Sequence, residues 1–576
     1  MSHFHPVHTF SDLVSRIVRV LLVGLISGTA ASLAALALVY LVAEGSQWIA
    51  QSKGQSPTWL RIALTVSIPM LGGLIVGFIV QQMSDKRPHT PADAILAVQS
   101  NLKLATLKLK DGFLNFIAAI VGLGSGASLG EYGPIVNMGA TLSANLQKYT
   151  RTEPSVLIGC GVAAAISAGF HAPIAGVIFA HEVIIRHFSL RAFAPITIAA
   201  SISFYISRAV FNTNYLFQFE FSQILYLGEY AGFIFVGIFS GMLAVAFLRT
   251  ILYAKWLAGK VTLAQQYKPM LAGLMIGLLA LQVPDILGIG DDLMRQTLSN
   301  SSNSAFDLSL LIVLKIGAAA ICLGFGFAGG VFSPSLLIGI LFGSLFGLGI
   351  EQIFPYANIP MYAICGMAAV TSPVIGAPLT TILIVFELTH SYDLTTAVMV
   401  SVVFSNVVSY RLFGRSLFDF QLKSRGYDLS HGRDPLILDT MSIHSISHED
   451  FITTTLGTAT KDAITQLVKA RTNGAFVLDK HQHFVGSISL ADLLGHAQDQ
   501  TASNPIDTIV NTHGLRLSPD SSIWAAMHDI KGFVGHAVPI VDPSSGHLIG
   551  VLYENDLIEA HMQALRELRN EETANA

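Results

Sequence analysis

The sequence predicts an all-α protein that crosses a membrane many times, built as two similar halves of broken helices and followed by a smaller α/β region. Three observations predict it: an apolar composition, a series of long apolar runs interrupted by glycine and proline, and a duplication in each part of the chain. Of 576 residues, 52% are hydrophobic and 12% charged, about half the charged fraction of an ordinary soluble domain. Mean hydropathy is +0.58. A net charge of −4 provides none of the basic surface that nucleic-acid binders show, so nucleic acid is excluded as a partner.

The first segment, "MSHFHPVHTFSDLVSRIVRV", is polar and lacks a small-residue cleavage site, so the helix after it is expected to be retained. Residues 1–15 read as a cytoplasmic tail, and His3, His5 and His8 as part of a mobile terminus rather than a metal clip. Apolar stretches then recur from Val20 to about Phe413, among them "VLLVGLISGTAASLAALALVYLV" and "LRIALTVSIPMLGGLIVGFIV". Several are long enough to cross the hydrocarbon core, which takes about 20 residues, while others are shorter and broken. Irregular backbone survives at that depth only where protein buries it or water reaches it, so the breaks point to a pathway. Arg16 and Arg19 precede the first span, and Arg411, Arg415, Lys423 and Arg425 follow the last. That excess of positive charge places both ends in the cytoplasm, with residues 16–426 as the membrane domain of a plasma or bacterial inner membrane protein. Cys160, Cys322 and Cys365 all lie inside apolar runs and read as buried small hydrophobes, with no disulfide or zinc spacing.

The membrane part repeats itself over about 60–212 and 223–413. "APIAGVIFAHE" (Ala172 to Glu182) matches "APLTTILIVFE" (Ala377 to Glu387), and upstream of each a glycine-rich break ends in proline, Pro134 with Gly139 and Pro334 with Gly339. Duplicated halves with broken helices place ion sites near the midplane, where the halves meet. In "GLGSGASLGEYGPIVNMGA" and "GFGFAGGVFSPSLLIGI", small residues let the backbone turn, and proline suits the first turn of a helix. The unsatisfied N–H groups of that turn carry about half a positive elementary charge. Two such ends converging can hold an anion without an ionised side chain, and so bind it loosely enough to release.

These motifs carry a resemblance. "GEYGPIVNMG", "AGGVFSPSLLIG", "HAPIAGVIFAHE", "GAPLTTILIVFELT" and "RSLFDFQLKSRG" occur in the order found in the CLC family of chloride channels and chloride/proton antiporters, and the chain resembles that family over nearly its whole length, with a C-terminal pair of CBS domains. The resemblance implies an inverted-repeat fold and a homodimer in the lipid bilayer with one pathway per subunit for chloride or a related anion. It also implies that the amides around Val331 and Phe332 hold the central anion, with those near Gly133 contributing on the outer side.

The chain departs from the family at several of these positions. The gating glutamate of the family's Gly-Arg-Glu-Gly-Pro is replaced by Tyr132, while Glu131 stands one place early. A phenol stays neutral at working pH and cannot mimic an anion, although its hydroxyl can hydrogen-bond one, so Tyr132 is expected to plug or line the path. The antiporters' inner proton-carrying glutamate falls at Val183, and Glu182 and Glu387 read as structural groups bonding helix termini. The family's central serine aligns with Pro88, a change that accompanies nitrate preference in some members, and its tyrosine near the last helix is Phe418. Both central hydroxyls are thus expected to be missing. Passive, proton-uncoupled anion flow is the favoured reading. One alternative is an antiporter in which Glu131 swings into the gate; the other is a CBS-containing magnesium transporter, for which the spans supply few carboxylates and place Lys315 inside one of them. No nucleophile and base pair suggests an enzyme.

After residue 426 the composition becomes that of a soluble domain, read as tandem CBS units over 435–565 (about 435–497 and 505–563) with a tail at 566–576. "GAFVLDKHQHFVGSISLADLL" matches "HAVPIVDPSSGHLIGVLYENDL", a duplication of βαββα form. Ile464, Leu467 and Val468 are expected to share the buried face of its first helix. In nucleotide-binding CBS domains a hydroxyl and a carboxylate contact the ribose and phosphate. Ser489 and Asp492 supply such a pair, whereas the second copy keeps Asp556 but has Tyr553 for the hydroxyl. No cofactor is otherwise implied, and an adenine nucleotide competes here with a structural reading in which these groups cap helices.

Overall fold

The computed structural model describes residues 10–54, 57–99, 107–150, 152–188, 190–211, 229–299, 304–354, 358–427, 438, 441–498, 504–531, 533 and 537–573. They form two compact units, Met1–Gly426 and Tyr427–Ala576. His3, His5 and His8 lie outside the described residues.

In the first unit, α1 (Phe10–Gly54) and α2 (Thr58–Gln81) are followed by α3 (Pro91–Gln99), α4 (Leu109–Gly124), α5 (Tyr132–Ala144), the short α6 (Gln147–Thr150) and α7 (Pro154–Phe170). Then come α8 (Pro173–Phe179), running on as a π-turn over Ala180–Ile185, α9 (Leu190–Phe211) and α10 (Glu229–Lys260). The second half adds α11 (Lys268–Leu279), α12 (Asp291–Ser299), α13 (Ala305–Gly324), α14 (Phe332–Glu351), α15 (Ile359–Ile375), α16 (Pro378–Thr389), α17 (Tyr392–Leu412) and α18 (Leu417–Lys423). Seven of the described helical segments are long and apolar enough to span a bilayer, and four shorter apolar ones include α7, α15 and α16. Helix α1 starts at Phe10, inside the stretch expected to be tail.

The duplication governs the packing. Helices α3 and α12 lie 200 residues apart, as do the glycines that end α4 and α13 in the left-handed region, Gly126 (φ 98°) and Gly326 (φ 97°). The crossing of α2 with α11 is equally symmetric. A Cβ on Gly73 meets the Pro269 carbonyl oxygen at 2.2 Å, and one on Gly273 meets that of Pro69 at 2.0 Å, so the two backbones touch where only glycine fits. Helix α1 packs on α7 and α9 as α10 packs on α15 and α17, which carries the first half back to include α1. The halves differ by one residue at the π-turn: the left-handed cap after Glu182 falls at Arg186, four residues on, and that after Glu387 at His390, three on. A π-turn is such an insertion.

In the second unit, β1 (Thr453–Thr455), α19 (Thr460–Ala470), β2 (Gly474–Leu478), β3 (Phe484–Ser489) and α20 (Leu490–Gln498) make the first copy. Its sheet runs β1-β2-β3, the first pair parallel and the second antiparallel. The second copy has α21 (Ile523–Asp529), the antiparallel pair β4 (Val538–Val541) and β5 (Leu548–Leu552), and α22 (Glu554–Thr573). Its first strand shrinks to one parallel bridge, Leu517 to Ile540. Helix α22 continues through most of the stretch expected to be a tail. The buried face of α19 is Ala463 and Leu467, whereas Val468 is 60% exposed. That corrects the expected stripe: Val468 is adjacent to Leu467, and a turn of about 100° separates consecutive side chains on a helix.

Candidate functional site

The two breaks meet. Gly130 N–H donates to the Gly330 carbonyl at 2.9 Å and Gly330 N–H to the Gly130 carbonyl at 2.7 Å, a two-bond antiparallel bridge. It sets the first turns of α5 and α14 beside one another, with Gly133 against the Gly330 backbone. Within those turns, Ile135 N–H bonds the Glu131 carbonyl and Ser335 N–H that of Val331. The amides of Glu131, Tyr132 and Gly133, and those of Val331, Phe332 and Ser333, donate to no acceptor among the described residues. Orphan first-turn amides from two long-range partners therefore face one locality, where the partial positive charges of both helix ends add.

Aromatic rings close that locality. Tyr132 stacks on Phe170 with centroids 3.7 Å apart and planes at 13°, and Phe332 lies 5.4 Å from Tyr132 and 4.8 Å from Phe170. The Tyr132 hydroxyl donates a long bond, 3.4 Å, to the Gly169 carbonyl. Beside the ring is a cavity of about 20 Å³ bounded by Phe170, Asp291, Ser333 and Met367 among others. Glu131 faces elsewhere. Its side chain lines a larger cavity of about 550 Å³ with the C-terminal part of α1 and with Asp285, Asp291 and Asp292. Only 7% exposed, it has no hydrogen-bond or ion-pair partner among the described residues. Asp291 borders both cavities.

Each helix ahead of a break ties down the segment before α3 or α12. On α4, Asn115 accepts from His89 N–H at 3.0 Å and donates to the His89 carbonyl at 3.2 Å. At the matching place on α13, Lys315 donates to the carbonyls of Ile286 (3.2 Å) and Gly288 (2.9 Å). This buried lysine is thus spent on backbone.

The paired glutamates cap each other's half. Glu182 accepts from Leu379 N–H (2.9 Å), Thr380 N–H (2.9 Å) and the Thr380 hydroxyl (2.6 Å) at the start of α16. Glu387 accepts from Ile174 N–H (2.9 Å) and Ala175 N–H (2.8 Å) at the start of α8. The expectation that both bond helix termini holds. Val183 is buried in the π-turn.

Tyr132, Gly133, Val331 and Phe332 come together, whereas Pro88 and Phe418 sit on neighbouring elements of their own. Pro88 precedes α3, whose start is covered by its own Asp93: that carboxylate accepts from Thr90 N–H at 2.8 Å and pairs with Arg87 at 2.6 Å and Arg425 at 2.8 Å. Phe418 is buried on α18, which is joined to the Pro88 segment by the Thr90 hydroxyl bonding Gln421 at 2.9 Å. Neither residue bounds the small cavity. Reading the sequence missed Ser333. It expected both side-chain hydroxyls to be gone from the centre, yet this one bounds the cavity beside Tyr132. The only signal was a serine one place after Phe332.

In the second unit the Ser489 hydroxyl donates to Asp492 at 2.6 Å and accepts from Asp492 N–H at 3.1 Å. Asp556 accepts from Tyr553 N–H at 3.0 Å and pairs with His448 at 3.2 Å. These groups are occupied as helix caps and internal contacts.

A model of the voltage gated chloride channel family matches residues 72–410, and one of the CBS domain residues 507–563. The chain is similar to a ClcB-like chloride channel protein of Ralstonia nicotianae, 27% identical over 390 residues, covering 66% of this chain and 90% of that one. It is also similar to the voltage-gated ClC-type chloride channel ClcB of Escherichia coli, 26% identical over 414 residues, covering 70% and 97%. Among solved structures, a slow cyanobacterial Cl⁻/H⁺ antiporter matches at TM-score 0.64 and 21% identity, covering 73% of this chain and 98% of that one. A eukaryotic CLC transporter matches at TM-score 0.64 and 18% identity, covering 94% and 98%. With the family model spanning more than half its length, the chain belongs to the voltage gated chloride channel family, whose members carry anions across membranes.

Proposed function

We propose that the protein is a passive, proton-uncoupled path for chloride or a similar small monovalent anion, working as a homodimer with one path per subunit and both termini in the cytoplasm. The observation that carries this reading is the Gly130–Gly330 bridge, which aims the unpartnered amides of two helix ends at one place. In it the amides of Val331 and Phe332 hold the central anion, those at Gly133 extend the site outward, and Pro88 and Phe418 border its inner end. Tyr132 is the plug. A neutral ring stacked on Phe170 closes the path sterically, without competing as an anion. Val183 offers no proton, and Glu182 is engaged by three donors, which argues against proton coupling.

A second reading, proton-coupled antiport, is favoured by one observation, the buried and unpartnered Glu131 carboxylate. Purified protein in vesicles, with chloride efflux and external pH recorded together, separates the two. Uncoupled flow moves chloride with no accompanying proton flux. Chloride-driven proton movement that Glu131→Gln abolishes establishes the second reading. The caps at Ser489, Asp492 and Asp556 support a structural role for the CBS pair, so the efflux rate is expected to be the same with and without ATP.

A further inference from the structure

We propose that the Ser333 hydroxyl is an anion ligand of this chain, and that it favours a monatomic halide over nitrate at the start of α14. The inference rests on the reading that anions pass this helix end.

Ser333 is 1% exposed, and its hydroxyl oxygen has no hydrogen-bond partner among the described residues. A buried hydroxyl left unpaired is costly, so such a group points to something that completes it. Two residues on, Ser335 shows the ordinary solution, its hydroxyl donating to the Phe332 carbonyl at 2.7 Å. Ser333 does not fold back in this way. Its oxygen faces the first break instead, 2.8 Å from where a Cβ on Gly130 would stand, and the residue bounds the small cavity with Tyr132 and Phe170. The donors that converge there are one hydroxyl and the orphan first-turn amides of a 20-residue helix. That set suits an anion, because every member donates.

Size argues for the class of anion. A cavity of about 20 Å³ accepts about one water-sized sphere. A monatomic halide fits with little adjustment, whereas planar nitrate requires the Tyr132 and Phe170 rings to part. Asp291 shares the wall and opposes any anion. The competing occupant is therefore a single water, bonded to the Ser333 hydroxyl.

Calorimetric titration of the purified full chain with sodium chloride and sodium nitrate, repeated on S333A, S333C and S335A, decides between them. Wild type is expected to bind chloride more tightly than nitrate. S333A should lose chloride affinity roughly tenfold or more, as removal of a hydrogen bond to a charged group does, and nitrate affinity far less, so that the chloride-to-nitrate ratio falls. S333C, a weaker donor of similar size, should fall between, and S335A should match wild type. An unchanged ratio in both S333A and S333C, with chloride still bound, overturns the Ser333 assignment and leaves the water. Wild type that binds neither anion overturns the underlying reading as well.

Discussion

The first break and the second have nearly the same backbone and different side chains. Gly126 and Gly326 turn through the same left-handed conformation, Gly130 and Gly330 bond one another, and Pro134 and Pro334 sit in the first turns of α5 and α14. Where the backbone agrees, the side chains diverge: Glu131 against Val331, Tyr132 against Phe332, Gly133 against Ser333, and further back Asn115 against Lys315. The difference teaches that the anion cradle is a property of the main chain and tolerates exchange of almost any side chain around it. Closure, ligand preference and proton traffic belong to the asymmetric residues. A symmetric cradle with an unsymmetric lining gives a path two unlike ends.

The most severe way to break the symmetry is to part the two backbones. A Cβ on Gly330 lies 2.8 Å from Gly133 N, so Gly330→Val forces the bridge open, and chloride efflux from vesicles is expected to fall on the order of a hundredfold, the scale of a misplacement of about 1 Å at a site. Removing the asymmetric plug comes next. The Tyr132 ring must leave its stack on Phe170 to clear the path, at a cost of up to about 1.5 kcal/mol, so Tyr132→Ala is expected to raise efflux up to about tenfold. Tyr132→Glu should instead slow efflux at neutral pH and restore it on acidification. If both variants match wild type at every pH, Tyr132 is not the closure.

The reciprocal caps provide a milder test. Glu182→Gln weakens three accepted bonds and removes a charge from a helix start, and is expected to lower stability by about 1–2 kcal/mol. Glu387→Gln, with two donors, should cost less. Thermal unfolding in detergent checks the order, and efflux with no proton movement in either variant keeps both glutamates structural.

The smallest effect lies in the second unit. Asp542 accepts from the side chain of Ser545 and from Ser544, which pull its carboxyl down to about 2. A carboxyl depressed on folding contributes stability above its unfolded value, near 4, and loses that contribution as pH falls through about 2. Asp542→Asn should therefore give a slightly lower melting point at pH 7, with the gap closing in acid.

Much of the membrane unit was legible because its signals are local. Apolar runs mark spans, glycine and proline mark breaks, and the repeated Ala-Pro and Glu positions mark two halves. The capping roles of Glu182 and Glu387 followed from the same repetition. What escaped was the direction in which neighbouring side chains face. Glu131 and Tyr132 are adjacent in the chain and line different cavities, and Val468 lies beside a buried Leu467 yet is exposed. Pro88 and Phe418 were expected at the centre, but Asp93 covers the start of α3 near Pro88, and neither residue borders the small cavity.

The sequence by itself determined the class of the protein, its two halves, the positions of both breaks and the loss of the acidic gate, because backbone stiffness, helix-end chemistry and apolar run length act within a few turns of chain. Only the tertiary structure decided that Gly130 would bond Gly330, that six amides would be left facing one place, and that the Ser333 hydroxyl would be left unpaired among them. Those outcomes depend on the approach of segments 200 residues apart. No local preference encodes which donors will find partners once the packing is complete.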